Sequence, residues 1–119
     1  MYRRDVPSEV DDVAPDGSEV RLLHRGERGS QAHFRLQPGQ VSAAKRHRTV
    51  EELWVFTGGT GEMCVGDETF TVGAGVAVHV PVGTRFQFRA TGTAPLDAVA
   101  VTMPPWPGDG EAIDAQPVW

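Results

Sequence analysis

The sequence predicts an all-β sandwich or barrel, and three observations lead to that reading. Short apolar runs recur at intervals of about ten residues, the spacing of successive strands in such folds. Gly, Pro and Asp separate the runs, and these residues turn a chain rather than extend it. No segment keeps a helical period with caps at its ends. At 119 residues the chain reads as one domain, with enough core to fold without disulfide or metal staples. No repeat appears at solenoid or propeller periods.

Residues 1–18 read as an extended lead-in, because Ser8 to Ser18 mixes Asp, Glu, Pro and Gly. The barrel is expected over 19–103 and opens with candidate strands Val20–His24 and Gln31–Gln37. In the second of these, Phe34 and Leu36 alternate against His33, Arg35 and Gln37, which assigns His33 to the surface. Pro38-Gly39 turns the chain into Val41–Arg48, where Lys45 and His47 share one face and Arg46 and Arg48 the other. Leu53–Thr57 follows, with Glu52, Trp54 and Phe56 alternating onto one side. Gly58-Gly59 leads to Gly61–Val65 and Thr69–Val72, joined by a hairpin at Gly66-Asp67, where Gly tolerates positive φ. In Val76–Val80 three valines oppose Ala77 and His79. In Thr84–Arg89, Phe86 and Phe88 oppose Arg85 and Gln87. Gly92 marks the turn before the last strand, Leu96–Thr102. Residues 104–119 form a Pro- and Trp-rich tail whose prolines bar it from being a central strand. Trp106 and Trp119 are expected to seal the barrel or to bury against a second subunit.

Composition removes several classes of function. A net charge of −5 argues against nucleic acid, whose phosphates require clustered Lys and Arg. The one basic run, Lys45 to Arg48, is split between two strand faces. Cys64 is the lone cysteine, so it cannot pair within the chain, and it reads as a small buried apolar residue. No apolar stretch follows the N-terminal charges, against a secretory signal. No segment has the apolar length needed to span a bilayer. A cytoplasmic protein with neither nucleic acid nor membrane as partner is expected.

Two stretches share an unusual spacing. Gly39 is followed after five residues by Lys45-Arg46-His47, after four more by Glu52, and after six by Gly59. Gly75 is then followed after five by Pro81-Val82-Gly83, and after two by Phe86. This resembles the paired motifs of the cupin superfamily, which run Gly, five residues, His-x-His, three or four residues, Glu, six residues, Gly, and then Gly, five residues, Pro-x-Gly, two residues, His, three residues, Asn. HRTVEELW, GGTGEM, PVGTRFQF and TMPPWPG extend the likeness, towards small single-domain bacterial cupins, from about Gly26 to Gly108. The resemblance implies a jelly-roll barrel, the double-stranded β-helix, with these polar residues aimed inside.

The chain departs from the pattern where the chemistry would lie. His47 and Glu52 match the second His and the Glu, but Lys45, Phe86 and Ala90 replace the first His, the last His and the Asn. Glu51 competes with Glu52, since the pattern permits either gap. Most cupins hold iron, manganese, nickel or zinc with three His and one Glu, and a catalytic site of this kind needs at least three protein ligands. His79 is the best spare, ahead of His33. An ammonium at Lys45 would repel a dication, since even two unit charges at about 4 Å interact by roughly 4 kcal/mol at an effective dielectric near 20, unless it snorkels out of the barrel. Weak or absent metal is therefore expected.

With Trp54, Phe56, Phe86 and Phe88, the implied cavity is aromatic and suits a small-molecule ligand. The leading expectation is a small-molecule-binding cupin with a depleted metal site, in which His47, Glu52 and Lys45 serve as acid–base groups. One alternative is a metal-dependent oxygenase or isomerase ligating through His47, Glu52 and His79. Another is a non-catalytic binding or assembly module. A homodimer is expected by analogy with the family.

Overall fold

A computed structural model describes residues 2–119; Met1, the first residue of the expected lead-in, lies outside them. It contains no helix among these residues. The strands are β1 (Asp12–Val13), β2 (Glu19–Arg25), β3 (Ser30–Leu36), β4 (Lys45–His47), β5 (Glu51–Gly58), β6 (Thr60–Val65), β7 (Glu68–Gly73), β8 (Ala77–Val80), β9 (Phe86–Ala90), β10 (Leu96–Met103) and β11 (Ala112–Asp114). They form a six-stranded sheet, ordered β1-β2-β3-β10-β5-β8, and a five-stranded sheet, ordered β11-β4-β9-β6-β7. Every pairing is antiparallel.

All nine strands expected from the sequence are present. One is much shorter than its alternation suggests: β4 spans Lys45–His47, and Val41 makes an isolated bridge to Arg89. Ser42 explains the break. Its hydroxyl accepts the Phe88 N–H at 3.0 Å, and its carbonyl accepts the Gln87 side-chain amide at 2.8 Å, so side chains replace the regular ladder. The two strands without a sequence signal, β1 and β11, lie in the segments read as lead-in and tail. Both sit at sheet edges and are two and three residues long, too short for periodicity to reveal.

Alternation along the strands builds the core. Glu52, Trp54 and Phe56 of β5 point inwards, as do Val78 and Val80 of β8, Phe86, Phe88 and Ala90 of β9, and Leu96, Ala98 and Ala100 of β10. The hairpin joining β6 to β7 turns at Gly66 with φ of 59°. Gly59 sits at φ 76°, and a Cβ there would lie 2.2 Å from the Pro95 carbonyl oxygen. That contact leaves glycine as the residue that fits.

The tail closes the barrel from outside and at one end. Gln87 points away from the core yet is 2% exposed, because its side-chain carbonyl accepts the N–H groups of Val118 (2.8 Å) and Trp119 (3.2 Å). The Arg89 guanidinium lies 4.4 Å from the Trp119 ring centroid, a cation–π contact. Trp106 instead packs edge-on to His47, with ring centroids 5.0 Å apart. Both tail tryptophans are thus used within this chain. No helix is long and apolar enough to cross a membrane.

Candidate functional site: a buried His–Glu pair in an aromatic cavity

His47 ends β4 at a turn that other parts of the chain hold in place. Its carbonyl accepts the Gly83 N–H at 2.9 Å, which ties the first motif to the second. Beyond it, the Glu111 carboxylate accepts the Thr49 N–H at 2.8 Å and also takes the Thr49 hydroxyl, while the Glu111 carbonyl accepts the Arg48 N–H. Burial works to raise the Glu111 pKa, but the Thr49 and Val50 hydrogen bonds and the nearby His47 bring it below the usual carboxylate value. The next strand then presents Glu52. It lies beside Thr102 on β10 and Val80 on β8, on the strand next to the β8 edge of the six-stranded sheet.

His47 Nδ1 and Glu52 Oε1 are 3.4 Å apart, and the two residues are 5% and 2% exposed. Phe86 packs edge-on against the imidazole at 5.1 Å, opposite the contribution of Trp106. Trp54 comes next on the inward face of β5 and stacks on Phe34 at 5.4 Å. Neither His47 Nδ1 nor Trp54 Nε1 completes a hydrogen bond of good geometry, although the indole N–H lies near enough to the Glu52 carboxyl to act on it. These groups lie at the inner end of a cavity of about 690 Å³, whose walls include Phe34, Trp54, Phe86 and Trp106.

Burial sets the protonation of the pair. It lowers the His47 pKa to about 4, with Glu111 opposing the shift. It raises the Glu52 pKa to about 8, opposed by the Trp54 indole N–H and reinforced by Asp16. At neutral pH the pair therefore consists of an uncharged imidazole beside an uncharged carboxylic acid. Burial favours the neutral form of each, and no lysine or arginine within ion-pairing distance of Glu52 restores the charge.

The structure separates residues that the sequence grouped. Glu52, not Glu51, enters the cavity. His79 does not: it lies on the outer face of β8, with its side chain 54% exposed and Nε2 2.9 Å from Glu51. The valines of that strand fill the core, so alternation turns His79 outwards. His33 also fails as a spare ligand, though it is buried rather than on the surface. It lies on the outer face of β3, 3.1 Å from Asp97. Lys45 lines the cavity, but its Nζ reaches Asp114 at 2.6 Å rather than Glu52. Of the four aromatic residues assigned to the pocket, Trp54 and Phe86 line it, while Phe56 and Phe88 lie in the packed core, 1% exposed each.

Among the described residues, no three His, Cys, Asp or Glu side chains assemble into a metal-binding group. Phe86 and Lys45 supply no ligand, and the donor set stops at two. The residues present do not fit the divalent metal that the fold family implies.

Sequence reasoning missed Asp16, Phe34 and Trp106. Asp16 lies in the supposed lead-in, yet it is 7% exposed and lines the same cavity. Its carboxylate accepts the Ser18 N–H at 2.9 Å and the Ser18 hydroxyl at 2.6 Å. Burial raises its pKa, against those bonds and the charge of Lys45. Pro15-Asp16-Gly17 is a turn signal that could have located it. Phe34 was legible as inward-facing, but nothing local linked it to this site.

Comparison with known proteins agrees with the architecture. The Cupin domain family model matches residues 32–102. The chain is 29% identical over 110 residues to the uncharacterized protein MJ1618 of Methanocaldococcus jannaschii, covering 85% of this chain and 88% of that one. It is 25% identical over 91 residues to mannose-1-phosphate guanylyltransferase 2 of Escherichia coli O157:H7; the match covers 76% of this chain but only 19% of that protein. Among solved structures, an uncharacterized double-stranded β-helix protein of Klebsiella pneumoniae superposes with a TM-score of 0.79 at 18% identity, covering 98% and 99% of the two chains. Pac13 of Streptomyces, described as a nucleoside dehydratase, has a TM-score of 0.76 at 14% identity, covering 98% and 92%. These two structural likenesses are of fold alone. With its two sheets, its motif spacing and the family match over residues 32–102, the chain belongs to the cupin superfamily.

Proposed function

We propose that this protein is a small-molecule-binding cupin in which His47 and Glu52 act together as a metal-free proton-transfer pair. The observation that supports this reading is the 3.4 Å contact between the two groups in an aromatic cavity that offers no third metal ligand. An acid whose pKa is raised to about 8 beside an imidazole lowered to about 4 can exchange protons with a bound molecule near neutral pH. Below about pH 8 the pair retains a proton to donate. Above it, the ionised pair becomes a base. The guanylyltransferase match covers too little of that enzyme to suggest its activity here.

Metal content, measured by mass spectrometry on untagged protein purified without chelators, tests the proposal. The expected result is far less than one equivalent of iron, manganese, nickel or zinc, not restored by incubation with those ions. One equivalent, lost on His47→Ala, would overturn it. A second copy of the chain is the proposed partner for the outer face of β5, where Leu53 and Val55 are 47% and 41% exposed. A monomer in light scattering would remove that part.

A further inference from the structure

The inner end of the cavity is polar without offering a free charge, and that restricts what it can hold. Among the described residues, His47 is the one ionisable group within ion-pairing distance of Glu52. Of the cations that line the cavity, Lys45 pairs with Asp114, while the exposed Arg25 donates Nη1 to the Trp106 carbonyl at 2.9 Å and keeps its charge at the solvent side. Exposed carboxylates of Asp12 and Asp109 also line the cavity. An anion reaching Glu52 would pass acidic groups, leave the exposed Arg25 behind and find no cation beside the carboxyl to offset its desolvation. A cation would be drawn to those carboxylates and to the aromatic faces, but its charge would then need an ionised Glu52, which burial disfavours.

The inner end also lacks hydrogen bonds. His47 Nδ1 and Trp54 Nε1 are buried near the Glu52 carboxyl without a hydrogen bond of good geometry, a condition seldom left unmet in proteins. A ligand that exchanges hydrogen bonds with Glu52 and the imidazole would complete this set. The near-parallel stack of Phe34 on Trp54, inclined by 11°, provides a flat wall beside it.

Building on the metal-free reading of the His47–Glu52 pair, we propose that the cavity takes an uncharged, flat ligand presenting a hydrogen-bond acceptor beside a donor to His47, Glu52 and Trp54. Amides, lactams and hydroxy-carbonyl compounds have this chemistry. Phosphates and carboxylates do not.

Three probes of one shape and different charge test the proposal: benzamide, benzoate and benzamidine, titrated at pH 7 by calorimetry into the full chain. Metal content is measured on the same preparation. Benzamide is expected to bind about tenfold or more tighter than either charged probe, the discrimination typical of a site with matched polar groups. Glu52→Gln keeps an uncharged donor and acceptor and should leave benzamide affinity within about threefold of wild type. Trp54→Phe removes the indole donor and should weaken it.

Preference for benzoate would reveal an available cation and overturn the proposal. Preference for benzamidine would reveal an ionised Glu52, with the same consequence. Failure of all three probes to bind, or benzamide affinity unchanged in Trp54→Phe, would also overturn it. Stoichiometric metal in that preparation would instead remove the metal-free reading, and it is read independently of the charge preference.

Discussion

Two histidines in this barrel are equally buried and differ in what surrounds their carboxylate partners. His47 and His33 are each 5% exposed, each has an Nδ1 without a partner, and each has its pKa lowered chiefly by burial. His33 faces Asp97, which is held by Arg35 through Nε at 2.7 Å, and Arg21 lies opposite it in register on β2. His47 faces Glu52, which has no guanidinium or ammonium beside it. The outer cluster ties β3 to β10 through Asp97, with Arg21 of β2 alongside and paired to Glu19. The inner pair is a proton donor and acceptor with nothing to neutralise a charge. Burial alone does not decide the character of a histidine; the cations around its carboxylate partner do.

Removing the carboxylates one at a time should separate the clusters most clearly. Asp97→Ala leaves Arg35 and His33 without their acceptor and should cost roughly 2–4 kcal/mol in urea unfolding. Glu52→Gln near pH 6 replaces one neutral group by another and should change stability by less than about 1 kcal/mol. Comparable losses in the two variants would mean that Glu52 is ionised after all, and the comparison would fail.

Trp106→Ala tests whether the tail keeps the inner pair dry. It removes a partly exposed ring and should cost about 1–2 kcal/mol, less than truncation of a fully buried aromatic. With water admitted, the His47 pKa should rise from about 4 towards its ordinary value, while His33, remote from that ring, should not move. Histidine ring resonances followed by NMR against pH would show it. Equal movement of both would refute the assignment of Trp106 as the cover.

The pH dependence of stability should distinguish the two carboxylates more finely. The folded pKa of Glu52 is raised, so its contribution is full below about 4.5 and fades as pH rises to about 8. The folded pKa values of His47 and His33 are lowered, so theirs are full above 6.5 and fade as pH falls, to about 4 for His47. Between 4.5 and 6.5 the effects oppose each other. Between 6.5 and 8 only the loss from Glu52 remains among them, and Tm should fall by a few degrees. In Glu52→Gln that fall should disappear; its persistence would assign it to another group.

Lys45→Met should have the smallest effect. The ammonium it removes pairs with a side chain of Asp114 that is 93% exposed, and such pairs contribute little. The His47 titration should be unchanged. A clear shift would show Lys45 reaching into the inner pair after all.

Much of the fold was legible because its signals are local. Turn glycines, two-residue alternation and the gaps between motif residues placed nine strands and set the inward faces of β5, β8, β9 and β10. The site was legible in part. His47, Glu52, Trp54 and Phe86 share the cavity as the spacing suggested, but Lys45 turned to Asp114, and Phe56 and Phe88 went to the core. His33 was misread because alternation tells one face from the other and cannot say whether a further layer covers the outer one. Here Arg21 and Asp97 on the flanking strands cover it.

What the sequence determined by itself was the strand pattern and the mismatch of Lys45 and Phe86 with the family's ligand positions, since each depends on residue type and short spacing. The inward direction of the His47–Glu52 pair followed only from the family resemblance. Only the tertiary structure decided that Asp16 and Trp106, from opposite ends of the chain, line the cavity, that Lys45 is neutralised from β11, and that both members of the pair are uncharged. Those outcomes depend on desolvation and on contacts between segments far apart in sequence, which no local pattern encodes.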